Sequence, residues 1–258
     1  MEKRMIKGVY AISILLLFIA AKWDLAISFA LYQPSTGWAC FLQDGYPIIL
    51  KFCLACCFLL LMDRKHCYFI IVVFLADFFA LYDLSAFFSY PIWSWYSLFC
   101  CSLFLILQWC LYQIMTPWHR KKAKKYIVFF LQVFFAVFLI VTVMKCLWSR
   151  TRYRDLEQMT QFCSWYIPCR QGGTSFPSGH TSSFAAALLS LYTIISDIRK
   201  HRSIWLMFIV WFLIALMMIS RIIMGAHFLS DTAAGMMIAV LCWQFIENKW
   251  RNRLNECT

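Results

Sequence analysis

The chain has 258 residues, of which 63% are hydrophobic and only 14% are charged. A soluble domain is closer to half apolar and a quarter charged, so this composition excludes an ordinary soluble protein. The net charge of +12 would suit a nucleic-acid-binding protein, but the basic residues cluster between apolar runs, as the positive-inside rule describes for membrane proteins. We therefore predict a protein that is embedded in the lipid bilayer and has no nucleic-acid partner.

The apolar runs predict an all-α, polytopic transmembrane helical bundle, because backbone groups find no water partners inside a bilayer. A span needs roughly 20 residues, and about eight such runs follow one another. The predicted spans are 5–22, 46–62, 67–85, 95–115, 126–144, 180–196, 203–220 and 231–247. The N-terminus resembles a signal peptide, but we expect an uncleaved first helix, and further spans follow it in either case.

No linker rich in Gly, Ser or Pro divides the chain. We therefore predict a single membrane-embedded domain, 1–258, with N-terminal helices in 1–125 and a catalytic core in 126–247. The last four spans form that core.

The distribution of charge predicts the topology. Sixteen of the 24 Lys and Arg residues fall in five clusters, which an even number of spans places on the cytoplasmic side together with both termini. The loops 23–45, 145–179 and 221–230 then face the opposite side. Cys163 and Cys169 share the second of these loops, where a disulfide is possible in an oxidising compartment.

Three polar groups meet on that outer face, although long sequence gaps separate them. They are Lys145 with Arg152, then Ser178-Gly179-His180, then Ser220-Arg221 with His227 and Asp231. Phosphoryl transfer depends mainly on positioning and on stabilising the charge of the phosphate oxygens. The cations Lys145, Arg152 and Arg221 would bind phosphate, helped by the Ser178 hydroxyl and by the bare backbone of Gly179 at a helix N-terminus.

The two histidines predict a division of labour. Asp231 follows His227 by four residues, so a helical turn would let its carboxylate accept one imidazole N–H. The other nitrogen of His227 would then attack phosphorus, while His180 protonates the leaving oxygen. Water would hydrolyse the resulting phosphohistidine. Because side chains supply the positive charge, we predict no metal and no cofactor.

These residues resemble the three-part motif of the type 2 phosphatidic acid phosphatase superfamily, K-x6-R-P, P-S-G-H and S-R-x5-H-x3-D. The second and third parts match in full, and the first departs only at Tyr153, where the family usually has Pro. The resemblance implies His227 as nucleophile, His180 as general acid and Asp231 as the orienting carboxylate. It also implies phosphate binding by Lys145, Arg152, Ser178, Gly179 and Arg221.

The segment after the first span, Asp24 to Ser28 with Tyr32, resembles that of bacterial lipid A phosphatases in the same superfamily. The expected function is thus removal of phosphate from a phospholipid or glycolipid phosphate in a bacterial inner membrane, with the site facing the periplasm. Candidate substrates are lipid A, undecaprenyl pyrophosphate and phosphatidylglycerophosphate. The oligomeric state is left open.

Other functions are compatible with the same residues. A phosphotransferase would pass the phosphoryl group from the same phosphohistidine to another lipid, and an endoplasmic-reticulum sugar-phosphate phosphatase has a similar motif. A transporter or scaffold could carry a degenerate phosphatase core, although every predicted catalytic residue is present.

Asp77 and a group of charged loop residues lie outside the three motifs. Asp77 lies inside an apolar run, where it is expected to pair with a polar neighbour or else to mark a cavity. The loop residues that contact a headgroup or are simply solvated are Arg150, Arg154, Asp155, Glu157 and Arg170.

Overall fold

The computed structural model describes residues 2–62, 69–87, 89 and 95–256. Regular structure within those ranges is helical, with eight α-helices and two short 3-10 helices, Tyr153–Asp155 and Met159–Gln161. The α-helices are α1 Glu2–Leu31, α2 Gly37–Leu61, α3 Phe69–Phe87, α4 Trp95–Ile114, α5 Pro117–Trp148, α6 Gly179–Arg199, α7 Ile204–Ile223 and α8 Leu229–Glu256.

Seven of these helices, all except α4, are long and apolar enough to cross a membrane. In α4, the apolar helical stretch among the described residues is Ser102–Ile114, which is shorter than a span requires. The all-α polytopic fold is therefore confirmed, and the chain is an integral membrane protein. The even count of eight spans, on which the predicted topology depends, stays a prediction.

Several helices extend beyond the predicted spans. The helix α1 continues to Leu31, and α2 begins at Gly37, so the predicted loop 23–45 shrinks to the five residues 32–36. Asp24 does not end α1, because its carboxylate is buried and paired inside the protein. The helix α5 includes the basic segment 120–125 and begins at Pro117, a residue suited to the first helical position.

The chain forms two compact units, one of residues up to Cys40 with those from Phe129 onward, the other of Phe41–Val128. The single-domain organisation stays a prediction. Within the second unit, α3 contacts α4. The amide of Gln108 donates to both carboxylate oxygens of the buried Asp77, at 2.7 and 2.9 Å, which confirms the expected polar partner.

In the first unit, α8 packs against α1, α6 and α7. Small residues allow close approach of membrane helices, and the α6–α8 contact is rich in them. The fully buried ones are Ala185, Ala186, Ala233 and Ala239. A Cβ on Gly235 would lie only 2.7 Å from the carbonyl oxygen of Ser178, so α8 touches the residue that precedes α6.

The far end of α8 is fixed by the buried carboxylate of Glu247. Its Oε1 accepts hydrogen bonds from Arg202 at 2.6 Å, from Arg251 at 2.9 Å and from Thr193 at 3.3 Å. Thr193 in turn accepts a hydrogen bond from the indole of the fully buried Trp243. These contacts join α6, α8 and the turn before α7 at the end opposite to the three polar motifs.

Candidate active site

The last turn of α5 and the segment that follows it hold two of the predicted phosphate-binding cations. Lys145, in the last turn of α5, donates from Nζ to the carbonyl oxygen of Thr174 at 2.8 Å. Arg152 donates from Nη2 to Thr174 Oγ1 at 3.2 Å, so the two cations meet at one residue. The Nε of Arg152 is buried and makes no hydrogen bond within the described part of the chain. This guanidinium therefore retains a donor for an anion.

The start of α6 lies beside these cations. Ser178 is the N-cap, and its buried hydroxyl accepts a hydrogen bond from the Thr181 N–H at 3.4 Å. A Cβ on Gly179 would lie 3.6 Å from Lys145 Nζ. His180 follows in the first turn of α6 and is half-buried. An ammonium group next to a helix N-terminus is a favourable place for a phosphate.

The turn between α7 and α8 folds back on itself. The carbonyl oxygen of Arg221 accepts the N–H of Ala226 at 3.1 Å and that of His227 at 3.2 Å. Gly225 has φ +60°, and a Cβ there would meet the ring of Tyr32 at 2.6 Å, so this turn requires glycine. The buried Arg221 and His227 are thereby held together.

The imidazole of His227 has a defined orientation. Its Nδ1 lies 2.7 Å from the carbonyl oxygen of Ser175, and because a carbonyl only accepts hydrogen bonds, Nδ1 carries the proton. Nε2 then holds the lone pair. The expected acceptor, Asp231, is 3.7 Å from Nδ1, because His227 precedes the start of α8 and is not one helical turn from Asp231.

Burial lowers the pKa of His227 to about 3, and the nearby cations Arg221 and Lys145 act in the same direction. The Asp231 carboxylate opposes the shift. The side chain is only 2% exposed. The imidazole is therefore neutral at physiological pH, the form in which its nitrogen is a nucleophile.

The carboxylate of Asp231 joins three separate segments of the chain. Oδ1 accepts a hydrogen bond from Arg150 Nη1 at 2.6 Å. Oδ2 accepts from the Ser175 hydroxyl at 2.5 Å and from the Phe228 N–H at 2.9 Å. The last contact places Asp231 at the third helical position, reaching back to the residue before α8, as in half of a capping box.

Arg150 contradicts both sequence interpretations, since it neither reaches toward a headgroup nor lies in solvent. The side chain is 1% exposed and stacks over the ring of Phe228, 4.0 Å from its centroid. Besides Asp231, its guanidinium binds Asp24 of α1 at 2.9 Å. The other charged residues of that loop are exposed, as expected for solvated groups. They are Arg154, Asp155, Glu157 and Arg170.

The structure thus collects the predicted residues from three motifs and adds others that the motifs do not contain. The additions are Asp24, Arg150, Thr174, Ser175 and Ser230, the last of which accepts a hydrogen bond from Arg150 Nη1 at 2.8 Å. One feature of the sequence could have indicated these residues: the acidic Asp24 directly follows an apolar run. If the helix continues past Asp24, its carboxylate needs a buried cation as a partner. Cys163 and Cys169 form a disulfide. Among the described residues no group of His, Cys, Asp and Glu is arranged to hold a metal ion, and metal independence stays a prediction.

Fold and site together define a class: an integral membrane protein of α-helices in which cations gather around a helix N-terminus and a neutral, oriented histidine. The model of the PAP2 superfamily matches residues 125–254, about half of the chain. The chain belongs to this superfamily, which confirms the resemblance seen in the three motifs, and its members are phosphatases that act on phosphate esters. No curated protein and no solved structure matches the chain.

The low pKa of His227 is directly measurable. In detergent micelles, NMR of the protein labelled with ¹⁵N-histidine should show five imidazoles. The signal that is missing in His227→Asn belongs to His227, and in the wild type this imidazole should stay neutral from pH 7 to pH 5. An ordinary histidine titrates near pH 6.5 over the same range. A His227 midpoint between pH 6 and 7 would contradict the buried, neutral state.

The same shift determines the sign of a pH effect on stability. Below about pH 6.5 the unfolded chain binds a proton at His227 that the folded chain does not bind. The contribution of His227 to the free energy of unfolding therefore decreases as the pH falls from about 6.5 toward 3.

Proposed function

We propose that this protein removes phosphate from a phosphorylated membrane lipid through a phosphohistidine on His227. One observation carries the proposal: His227 Nδ1–H is bound to the Ser175 carbonyl at 2.7 Å and the side chain is buried, which leaves the lone pair on Nε2. A neutral imidazole held in one orientation beside phosphate-binding cations is suited to attack phosphorus.

The cations account for substrate binding. Lys145 and Arg152 lie together at Thr174, and the charges of Lys145 and Arg221 both act on His227. A phosphate bound between them would also face the N-terminus of α6 at Gly179. The buried hydroxyl of Ser178 supports this role indirectly, because it caps the helix whose N–H groups would approach the phosphate.

The reaction then proceeds in two balanced steps. His227 Nε2 attacks phosphorus, the P–O bond to the lipid breaks, and His180 gives its proton to the leaving oxygen. In the second step a water oxygen attacks the phosphohistidine, His180 takes a proton from that water, and the P–N bond breaks. Inorganic phosphate leaves, and both histidines return to their starting forms. The proposed steps require no metal.

Asp231 contributes without bonding the imidazole directly. Its carboxylate lies 3.7 Å from Nδ1, close enough to favour the positive charge that the imidazole gains on phosphorylation. It also binds the hydroxyl of Ser175, the residue whose carbonyl orients His227. Its proposed role is therefore orientation and charge stabilisation.

Replacement of the histidines tests the proposal. His227→Ala should lower phosphate release from lipid substrates by at least ~10⁴-fold, as expected for a lost nucleophile. His180→Ala should lower it by about 10²–10⁴-fold, the contribution of general acid catalysis. His201→Ala, exposed in the turn before α7, is the matched control and should retain activity.

The assay uses purified protein with lipid A, undecaprenyl pyrophosphate or phosphatidylglycerophosphate, with and without EDTA. Full activity of His227→Ala would refute the mechanism, and loss of wild-type activity in EDTA would refute metal independence. Lipid-dependent transfer without release of free phosphate would identify a phosphotransferase.

We further propose that the site faces the periplasm of a bacterial inner membrane. The five basic clusters support this orientation. The disulfide between Cys163 and Cys169, in the segment between Arg152 and Ser178, supports it independently, since disulfides persist in oxidising compartments.

This orientation has a direct test in spheroplasts. Cys169→Ser leaves the Cys163 thiol free, and a membrane-impermeant maleimide should then label it without permeabilisation. Wild-type protein, in which the disulfide consumes both of these thiols, is the control and gives the background labelling of other free cysteines such as the exposed Cys146. Labelling of the variant only after lysis would place the site on the cytoplasmic side.

A further inference from the structure

We propose that Asp24 and Arg150 are positioning residues for the reaction at His227, so that the first helix, α1, completes the catalytic centre. Asp24 lies outside the region matched by the superfamily, 125–254, and neither residue belongs to the three motifs. This inference rests on the proposed function, because it concerns how the same site is held.

Asp24, Arg150 and Asp231 form one continuous, buried network of ion pairs. Asp24 Oδ2 lies 2.9 Å from Arg150 Nη2, and Arg150 Nη1 lies 2.6 Å from Asp231 Oδ1. These three side chains are between 0% and 1% exposed. Removal of one partner of a buried ion pair leaves an uncompensated charge, so the three groups depend on one another.

The net charge of Asp24, Arg150 and Asp231 affects how well the phosphorylated imidazole is stabilised. Two carboxylates share one guanidinium, so the triad as a whole carries one negative charge next to His227. If Asp24 were neutral, Arg150 would be paired with Asp231 alone, and less negative charge would remain to favour the phosphorylated imidazole. Asp24 thus preserves the electrostatic contribution of Asp231.

Arg150 also reaches His227 through the backbone. The carbonyl oxygen of Arg150 accepts the Ser175 N–H at 2.8 Å, and Asp231, bound by the Arg150 side chain, accepts the Ser175 hydroxyl. Ser175 then presents its carbonyl to His227 Nδ1. A displacement of Arg150 therefore moves both groups that orient the imidazole, and a misplacement of about 1 Å can cost roughly 10²-fold in rate.

A purely structural role is the competing explanation. Asp24 also accepts the Ser230 N–H at 3.0 Å and thereby caps α8. However, α1 has other attachments, since the Trp165 indole donates to the Leu17 carbonyl at 3.2 Å and the Gln33 N–H donates to the Ile223 carbonyl at 2.9 Å. A variant of Asp24 should therefore keep α1 in place, which allows turnover and folding to be measured separately.

The decisive variant is Asp24→Asn, which removes the charge and keeps one oxygen acceptor for the Ser230 N–H, while an amide NH2 replaces the oxygen that pairs with Arg150. Turnover per folded molecule should fall about 10–100-fold, with KM changing less than about 3-fold. Arg150→Lys, which keeps the buried positive charge but cannot bridge two carboxylates, should show the same pattern. The fold-loss of turnover in the double variant should be smaller than the product of the two single fold-losses, since both changes break one network.

Asp77→Asn is the matched control, because it neutralises another buried, hydrogen-bonded carboxylate that has no place in the proposed site. The folded fraction of every variant is measured by thermal melting in detergent. If Asp24→Asn and Arg150→Lys both turn over within about 2-fold of wild type, or if Asp77→Asn loses as much as they do, the inference is wrong.

A second readout separates this inference from the proposed function. The ¹⁵N resonances of His227 should shift in Asp24→Asn and in Arg150→Lys but not in Asp77→Asn, whether or not a substrate is known. An inactive wild type with these shifts would refute the proposed function and support the positioning network. If the wild type is active but the His227 resonances are unchanged in both Asp24→Asn and Arg150→Lys, the positioning network alone is refuted.

Discussion

The structure of this site depends on one buried carboxylate, that of Asp231. An ionised group without solvent must find donors within the protein, and Asp231 finds them on three segments that are far apart in sequence. One is the segment after α5, another precedes α6, and the third leads into α8. The requirement to satisfy this carboxylate brings together the loops that carry the three motifs.

Burial requires hydrogen-bond donors for the Asp231 carboxylate, and it also keeps His227 in its neutral, nucleophilic form. With 2% of its surface exposed, the imidazole is too costly to protonate in the resting state, so its pKa falls to about 3. The site is thus arranged for a charge that appears only during the reaction, when Nε2 bonds to phosphorus. Negative charge from the Asp24–Arg150–Asp231 network then lies where that positive charge develops.

Sequence reasoning predicted the class of fold, the core of the site and the family, because spans and motifs are local patterns. It missed the acceptor of His227, since a backbone carbonyl from a residue 52 positions away leaves no trace in residue type. It also stopped the first helix near Lys22, two residues before Asp24, because a charge usually ends a span. The buried partners of Asp24, which are Arg150 and Ser230, explain why α1 continues past this charge to Leu31.

The most direct test of the account is the chemical form of the enzyme during turnover. Rapid acid-free quenching of wild type with ³²P-labelled lipid phosphate, followed by peptide mapping, should recover a phosphohistidine at residue 227. Because Nδ1 is bonded to Ser175, the phosphoryl group should be on Nε2, which chromatography against both phosphohistidine isomers resolves. Phosphate on Nδ1, phosphate on another residue, or turnover without any phosphoenzyme would contradict the account.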